Sequence, residues 1–195
     1  MEVGCMGMLR VFAAVPLSVE VKRSLAAPLA QARLQAPDVK WVDISNAHIT
    51  VKFFGDTAEE RIGRLAQALQ DVTSEFRSFS VSVCGIGAFP SLDRPRVVWA
   101  GVREGRDELC RLAHAVHVAT SEAGFAPEAG QPFSPHVTLG RFRGREPGAA
   151  VPRVLKDSAT RCWGTLGVNQ VTLYSSTLRP TGPVYRVLSQ ATLKP

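Results

Sequence analysis

The stretch NAHITVKF at residues 46–53 and the stretch SPHVTLGRF at residues 134–142 both write histidine, aliphatic, threonine, aliphatic. Each copy alternates polar and apolar residues, which is the two-residue period of a half-buried β-strand. On such a strand the side chains at i and i+2 share a face. His48, Thr50 and Lys52 are therefore expected on one face, with Ile49, Val51 and Phe53 packed on the core behind them. His136 and Thr138 pair in the same way, opposite Val137 and Leu139. Any fold open to this chain must present two imidazole–hydroxyl pairs, each braced from behind by apolar packing.

The segments around the two copies follow a common order. LRVFAAV at 9–15 reads as a buried strand bounded by Pro16, and Val21, Leu25, Leu29 and Ala32 then recur at helical spacing. Pro28 falls inside that stripe and is expected to kink or split the helix. RVVWAGV at 96–102 reads as a second such strand, followed by a helix over 106–124 with Leu109, Leu112 and Val116 on its stripe and Gly124 as its stop. From Val11 to His48 is 37 residues, and from Val97 to His136 is 39. That near-equality points to an internal duplication, with two related lobes about a pseudo-twofold axis. Thr57 and Glu60 form a capping-box pattern ahead of a helix carrying Ile62, Leu65, Leu69 and Val72. SFSVSVCGIGAF at 78–89 alternates as a strand, 127–135 reads as a loop, and 145–157 as a mixed segment with a short helix. LGVNQVTLYSS and PVYRVLSQATL close the chain as two strands.

Composition narrows the class. Hydrophobic residues make up 45% of the 195, enough for a sizeable soluble core, and no apolar run reaches the ~18 residues of a membrane span. The first residues lack a basic region and a small-residue cleavage site, so no signal peptide is expected and the cytoplasm is the expected compartment. Cys5, Cys84, Cys110 and Cys162 form no CxxC pair and have no zinc-ligand spacing with a histidine, which predicts free thiols in a reducing environment. His114 and His117 lie on the 106–124 helix away from or flanking its apolar stripe. They lack a third ligand and read as surface residues, so no metal site is expected. The net charge of +6 favours polyanions, nucleic acid first among them.

Two strands related by a pseudo-twofold would bring two imidazoles across one cleft. Histidine exchanges protons near neutrality, so one ring can serve as base while the other serves as acid. Thr50 and Thr138 can donate to the non-bridging oxygens of a phosphate between them. A base for water, an acid for the leaving oxygen and donors for the charged oxygens are what phosphodiester hydrolysis requires, without a metal or other cofactor. The motif is nearly symmetric, and the residues alone leave open which histidine takes which role. Lys52, on the expected motif face, is placed either to attract substrate or in solvent.

Twin H-x-T motifs at this separation resemble the 2H phosphoesterase superfamily, above all the RNA 2′,3′-cyclic phosphodiesterases of the LigT type, formerly called 2′-5′ RNA ligases. The resemblance covers nearly the whole chain. LRVFAAVPL is similar to the family's opening strand, NAHITVKFFGD to its first motif, and GAFPSLDRPRVVWAGV to its middle hairpin. FSPHVTLGRF is similar to its second motif and VTLYSSTLRPTGPVYRVL to its closing strands.

The resemblance implies an α+β fold that is bilobal, with two pseudo-twofold-related antiparallel sheets and outer helices around a central cleft. Residues 1–195 would form one such domain. It implies hydrolysis of RNA ends bearing a 2′,3′-cyclic phosphate, or of cyclic nucleotides, to 2′-phosphomonoesters. His48 would protonate the leaving 3′ oxygen and His136 would activate water. Arg141 matches a family arginine that holds the phosphate; strict alternation puts it on the face opposite His136 unless the strand ends, twists or bulges near Gly140. Ala13 stands where some relatives carry an aromatic residue, and Phe12 reads as core. The same site run in reverse would join RNA 2′-5′ without ATP, and a cleft without chemistry would leave an RNA- or nucleotide-binding module. A monomer outside the membrane is the expected state.

Overall fold

The structure is a computed structural model and describes residues 7–125, 133–142, 151–180 and 182–195. Strand β1 (Met8–Pro16) leads into helix α1 (Val19–Gln35), the short strand β2 (Lys40–Trp41) and the first motif strand β3 (His48–Ala58). Helix α2 (Ile62–Thr73), strands β4 (Phe79–Pro90) and β5 (Pro95–Val102), and helix α3 (Arg106–Glu122) precede the second motif strand β6 (His136–Arg141). A short helix α4 (Arg153–Lys156) and strands β7 (Cys162–Val168), β8 (Gln170–Arg179) and β9 (Gly182–Thr192) follow. All pairings between these strands are antiparallel, in the order β7-β4-β5-β6-β3-β1-β8-β9, with β2 added beside β6.

The two expected sheets are the two ends of this path, β7-β4-β5-β6 and β3-β1-β8-β9. They meet at one residue pair, Ile49 of β3 opposite Val137 of β6. On the first side Ala13 lies opposite Lys52 and Ala14 opposite Thr50, so Val51 is an extra residue in β3. On the second side Val98 lies opposite Gly140 and Trp99 opposite Thr138, so Leu139 is extra in β6. Both bulges therefore fall on the fourth residue of a His-x-Thr-x copy. The duplication read from spacing recurs in the hydrogen-bond register.

A bulge reverses the alternation of the residues beyond it. This corrects two expectations. Lys52 does not share the face of His48 and Thr50; it is buried, 7% exposed, while Phe53 is 48% exposed and turned to the cleft side. The Lys52 ammonium donates to the Thr120 hydroxyl at 2.7 Å and the Phe125 carbonyl at 3.1 Å, at the C-terminal end of α3. The partial negative charge of a helix C-terminus favours a cation there. Burial still holds the Lys52 pKa below that of a free lysine.

The helices tie the lobes together. α1 follows β1 yet packs on β7 and α4, while α3 follows β5 yet reaches β3 and packs beside α2. Each half thus covers apolar surface of the other, and Leu25 of α1, Leu109 of α3, Ile49 and Val137 belong to one continuous core. Ser18 caps α1 by accepting from the Val21 amide. The expected break at Pro28 does not divide the helix. Pro28 lies on the buried stripe, where packing offsets the lost backbone hydrogen bond.

Other departures have local causes. Thr57 and Glu60 make no capping box, because β3 continues to Ala58 and a 3-10 turn at Glu59–Arg61 leads into α2. Strand β7 was not expected: Gly164 and Gly167 break up its apolar pattern, although Trp163 and Leu166 are buried. Cys84 and Cys162 face each other across β4 and β7 and form a disulfide, correcting the reading of both as free thiols. Cys110 is free, and Cys5, residues 127–132 and residues 145–150 lie outside the described residues. His114 and His117 are exposed, as expected. Among the described residues no helix is long and apolar enough to cross a membrane.

Replacing Lys52 with alanine strands several buried acceptors at the end of α3. Urea unfolding is expected to show a loss of roughly 2 kcal/mol or more. Lys52→Arg should recover only part of it, because the larger head does not fit among the same acceptors.

Candidate active site

The pairing of Ile49 with Val137 sets the geometry of the site. Both of these side chains are fully buried. In an antiparallel pair their neighbours then share the opposite face, with His48 beside Thr138 and Thr50 beside His136. All four are half-buried. His48, Thr50, Thr138, Arg141, Phe53 and Tyr185 line a cavity of about 1000 Å³. His136 stands next to Thr138 on β6, with Phe89 edge-on to its ring at 5.1 Å.

The two imidazoles are held alike. His48 Nδ1 lies 2.7 Å from the Asn46 carbonyl oxygen, and His136 Nδ1 lies 2.7 Å from the Ser134 carbonyl oxygen. A carbonyl only accepts, so each Nδ1 must carry the proton and donate it. In the neutral ring each Nε2 is then an unprotonated acceptor. The Thr50 hydroxyl donates to His48 Nε2 across 3.1 Å. Thr138 makes no side-chain hydrogen bond to any described residue, which leaves its hydroxyl for a ligand. The Phe12 ring stacks on His48 at 4.9 Å between centroids, and Tyr185 meets His48 edge-on at 5.5 Å.

Burial is the largest influence on both imidazoles and lowers the pKa of each below the usual histidine value. The bonds to Asn46 and Ser134 oppose this by favouring the charged ring. Nearby positive charge adds to the lowering, from Lys22 and His136 at His48 and from Arg141 at His136.

Arg141 reaches the cavity through a bulge, one of the routes that its sequence position left open. The bulge at Leu139 turns it to the face of Thr138 and His136. The Leu139 carbonyl accepts from the Val42 amide at 2.8 Å, so the segment after β2 holds the bulge. Gly140 is required there, since a Cβ would lie 2.6 Å from the Trp41 ring. Ala13 is fully buried and offers nothing to a base; Phe12 is buried too, but on the cleft side rather than in the central core, where it stacks on His48 and Tyr174. The carbonyls of Asn46 and Ser134 were missed. They act through the backbone, which residue type does not reveal, although each stands two residues before its histidine. Tyr185 carried no signal beyond its place in an expected strand. Among the described residues no three His, Cys, Asp or Glu side chains cluster as a metal site would need.

A family model described as LigT like phosphoesterase matches this chain twice, over residues 15–99 and 101–185. The chain belongs to the LigT-like phosphoesterase family. The two matches fall on the two halves that carry the repeated motif and the matched bulges. Among curated LigT-like relatives, the Archaeoglobus fulgidus protein named RNA 2′,3′-cyclic phosphodiesterase is 34% identical over 180 residues, covering 92% of this chain and 98% of the relative. The Thermotoga maritima protein of the same name is 33% identical, covering 92% and 93%. The crystal structure of TT0787 from Thermus thermophilus superposes with a TM-score of 0.79 at 29% identity, covering 95% of this chain and 98% of the other. E. coli LigT, crystallised with 3′-AMP, has the same fold at a TM-score of 0.79 and 23% identity, covering 97% and 100%.

The lowered histidine pKa values set the sign of a pH effect on stability. Unfolded, both rings titrate near 6.5; folded, both titrate lower. Their contribution is whole above about pH 6.5 and is lost as pH falls towards the folded values, because the unfolded chain then binds more protons. The thermal midpoint of a His48→Gln/His136→Gln double variant is expected to fall less steeply between about pH 7 and about pH 5 than that of the native chain.

Proposed function

We propose that this protein hydrolyses 2′,3′-cyclic phosphodiesters at RNA ends or on nucleotides, leaving a 2′-phosphomonoester. The observation that carries this reading is the antiparallel pairing of the two motifs at Ile49 and Val137, which gathers two imidazoles and two hydroxyls on one face. The names of the 33–34% identical relatives support the same chemistry.

In this reading the phosphorus sits between the rings. His136 Nε2, unprotonated because Nδ1 is committed to Ser134, takes a proton from water as its oxygen attacks phosphorus. The bond from phosphorus to the 3′ oxygen breaks, and His48 Nε2–H supplies the proton that this oxygen needs. The room for a nucleoside supports that assignment. The cavity is lined by Phe53, Tyr185 and His48, so the ribose and its leaving oxygen fall on the His48 side. Binding an anion offsets the burial that disfavours the His48 imidazolium. Thr50 and Thr138 donate to the non-bridging oxygens, and Arg141 balances their charge. Proton transfer and charge stabilisation are both supplied by side chains, so the mechanism needs no metal. Residues 1–195 act as one bilobal unit, since each lobe supplies one histidine and one threonine.

The decisive experiment supplies an RNA with a 2′,3′-cyclic end and identifies the product. A 2′-phosphate, formed in excess EDTA, is expected. His48→Ala and His136→Ala should each lower kcat by about 10²–10⁴ or more without unfolding the chain. Thr138→Ala should cost about 10²–10³, in the range for one lost oxyanion donor. Near-native turnover in either histidine variant, or a 3′-phosphate product, would refute the mechanism.

A further inference from the structure

We infer a second phosphate-binding position beside the reacting one, built by Lys40 and Arg33, with Arg141 standing between the two phosphates and shared by both. It takes the phosphodiester on the 5′ side of the terminal nucleotide. The preferred substrate is then the end of an oligoribonucleotide rather than a free cyclic mononucleotide. This rests on the phosphodiesterase reading above.

The geometry comes from β2. Lys40 lies directly opposite Arg141 in the β2–β6 pairing, so the two side chains share a face. Both residues are exposed and both line the cavity. Like charges directly opposite each other on a sheet destabilise it. Neither is joined to a carboxylate among the described residues. An anion between them removes that cost.

The surroundings fix the position and add charge. The Trp41 indole packs where a Gly140 Cβ would be, and its Nε1–H donates to the Ala36 carbonyl at 2.9 Å, which pins β2 against β6. Arg33 donates from Nη2 to the Val42 carbonyl at 2.7 Å, bringing a third cation to the same wall. Among the described residues Asp43 is the one carboxylate lining the cavity, and it already accepts from the Ser45 amide and hydroxyl at 2.9 and 2.8 Å.

Charge and size both exceed what one nucleotide uses. A cyclic phosphate carries a single negative charge, while Arg10, Arg33, Lys40 and Arg141 line the cavity. Its volume of about 1000 Å³ stands at the upper end for a single small ligand.

The test compares kcat/KM for a triribonucleotide with a 2′,3′-cyclic end and for the matching cyclic mononucleotide, at several salt concentrations. The native chain is expected to favour the trimer by about tenfold or more at low salt, with the ratio shrinking as salt rises. Lys40→Glu should cut that ratio about tenfold. Lys40→Gln should cut it less and should not lower the thermal midpoint, because it relieves the repulsion with Arg141. A native ratio near one, or a Lys40→Glu variant that changes both substrates alike, would overturn the inference. If the native chain cleaved neither substrate, the phosphodiesterase reading would fall. Binding of a labelled triribonucleotide ending in a 2′-phosphate then decides the second position by itself. Weakening by Lys40→Glu retains it, and equal binding to both proteins removes it.

Discussion

Among the described residues, Ile49 and Val137 are the only pair joining the two ends of the strand path, and the site depends on that contact. Both side chains are buried, so the residues on either side of them must turn to the opposite face. A slip of one residue would bury a histidine and a threonine on each strand and expose two apolar side chains. The hydrophobic requirement at the centre of the sheet therefore fixes the polar arrangement in the cleft. Stability and chemistry are set by one register.

The two bulges refine this arrangement in opposite ways. At Val51 the bulge sends Lys52 into the core and Phe53 to the cleft; at Leu139 it leaves Gly140 under Trp41 and sends Arg141 to the cleft. Phe53 and Arg141 thus occupy equivalent places in the two halves. One lobe gains an aromatic surface where the other gains a cation. That difference breaks the near-symmetry of the twin motifs and gives the cleft an aromatic wall on one side and a basic wall on the other.

The exchanged helices explain how a single-pair junction between sheets can hold. α1 and α3 each leave one half and pack on the other, and the buried Lys52 ammonium fastens the end of α3 to the first motif strand. Separating the lobes would expose apolar surface on both helices and strip that ammonium of its acceptors. The imidazoles are consequently carried on strands that brace each other, which suits proton transfer over hydrogen-bond distances.

Periodicity in the chain determined the strands that carry His48 and His136, the hydroxyls beside them and the duplication, because alternation and repeat spacing are local properties of the sequence; the α+β class followed from the family resemblance of the motifs. It could not determine where Lys52, Phe53 and Arg141 point, since a bulge exists only relative to the strand it pairs with. The pairing of Cys84 with Cys162, 78 residues apart, likewise arises from β4 and β7 lying side by side. Glycines hid β7 itself, and a continued strand undid the capping pattern at Thr57. The carbonyls that set both histidine tautomers are backbone atoms with no residue signature. The local pattern named the candidate groups; the partner strands, through register and burial, decided which of them meet.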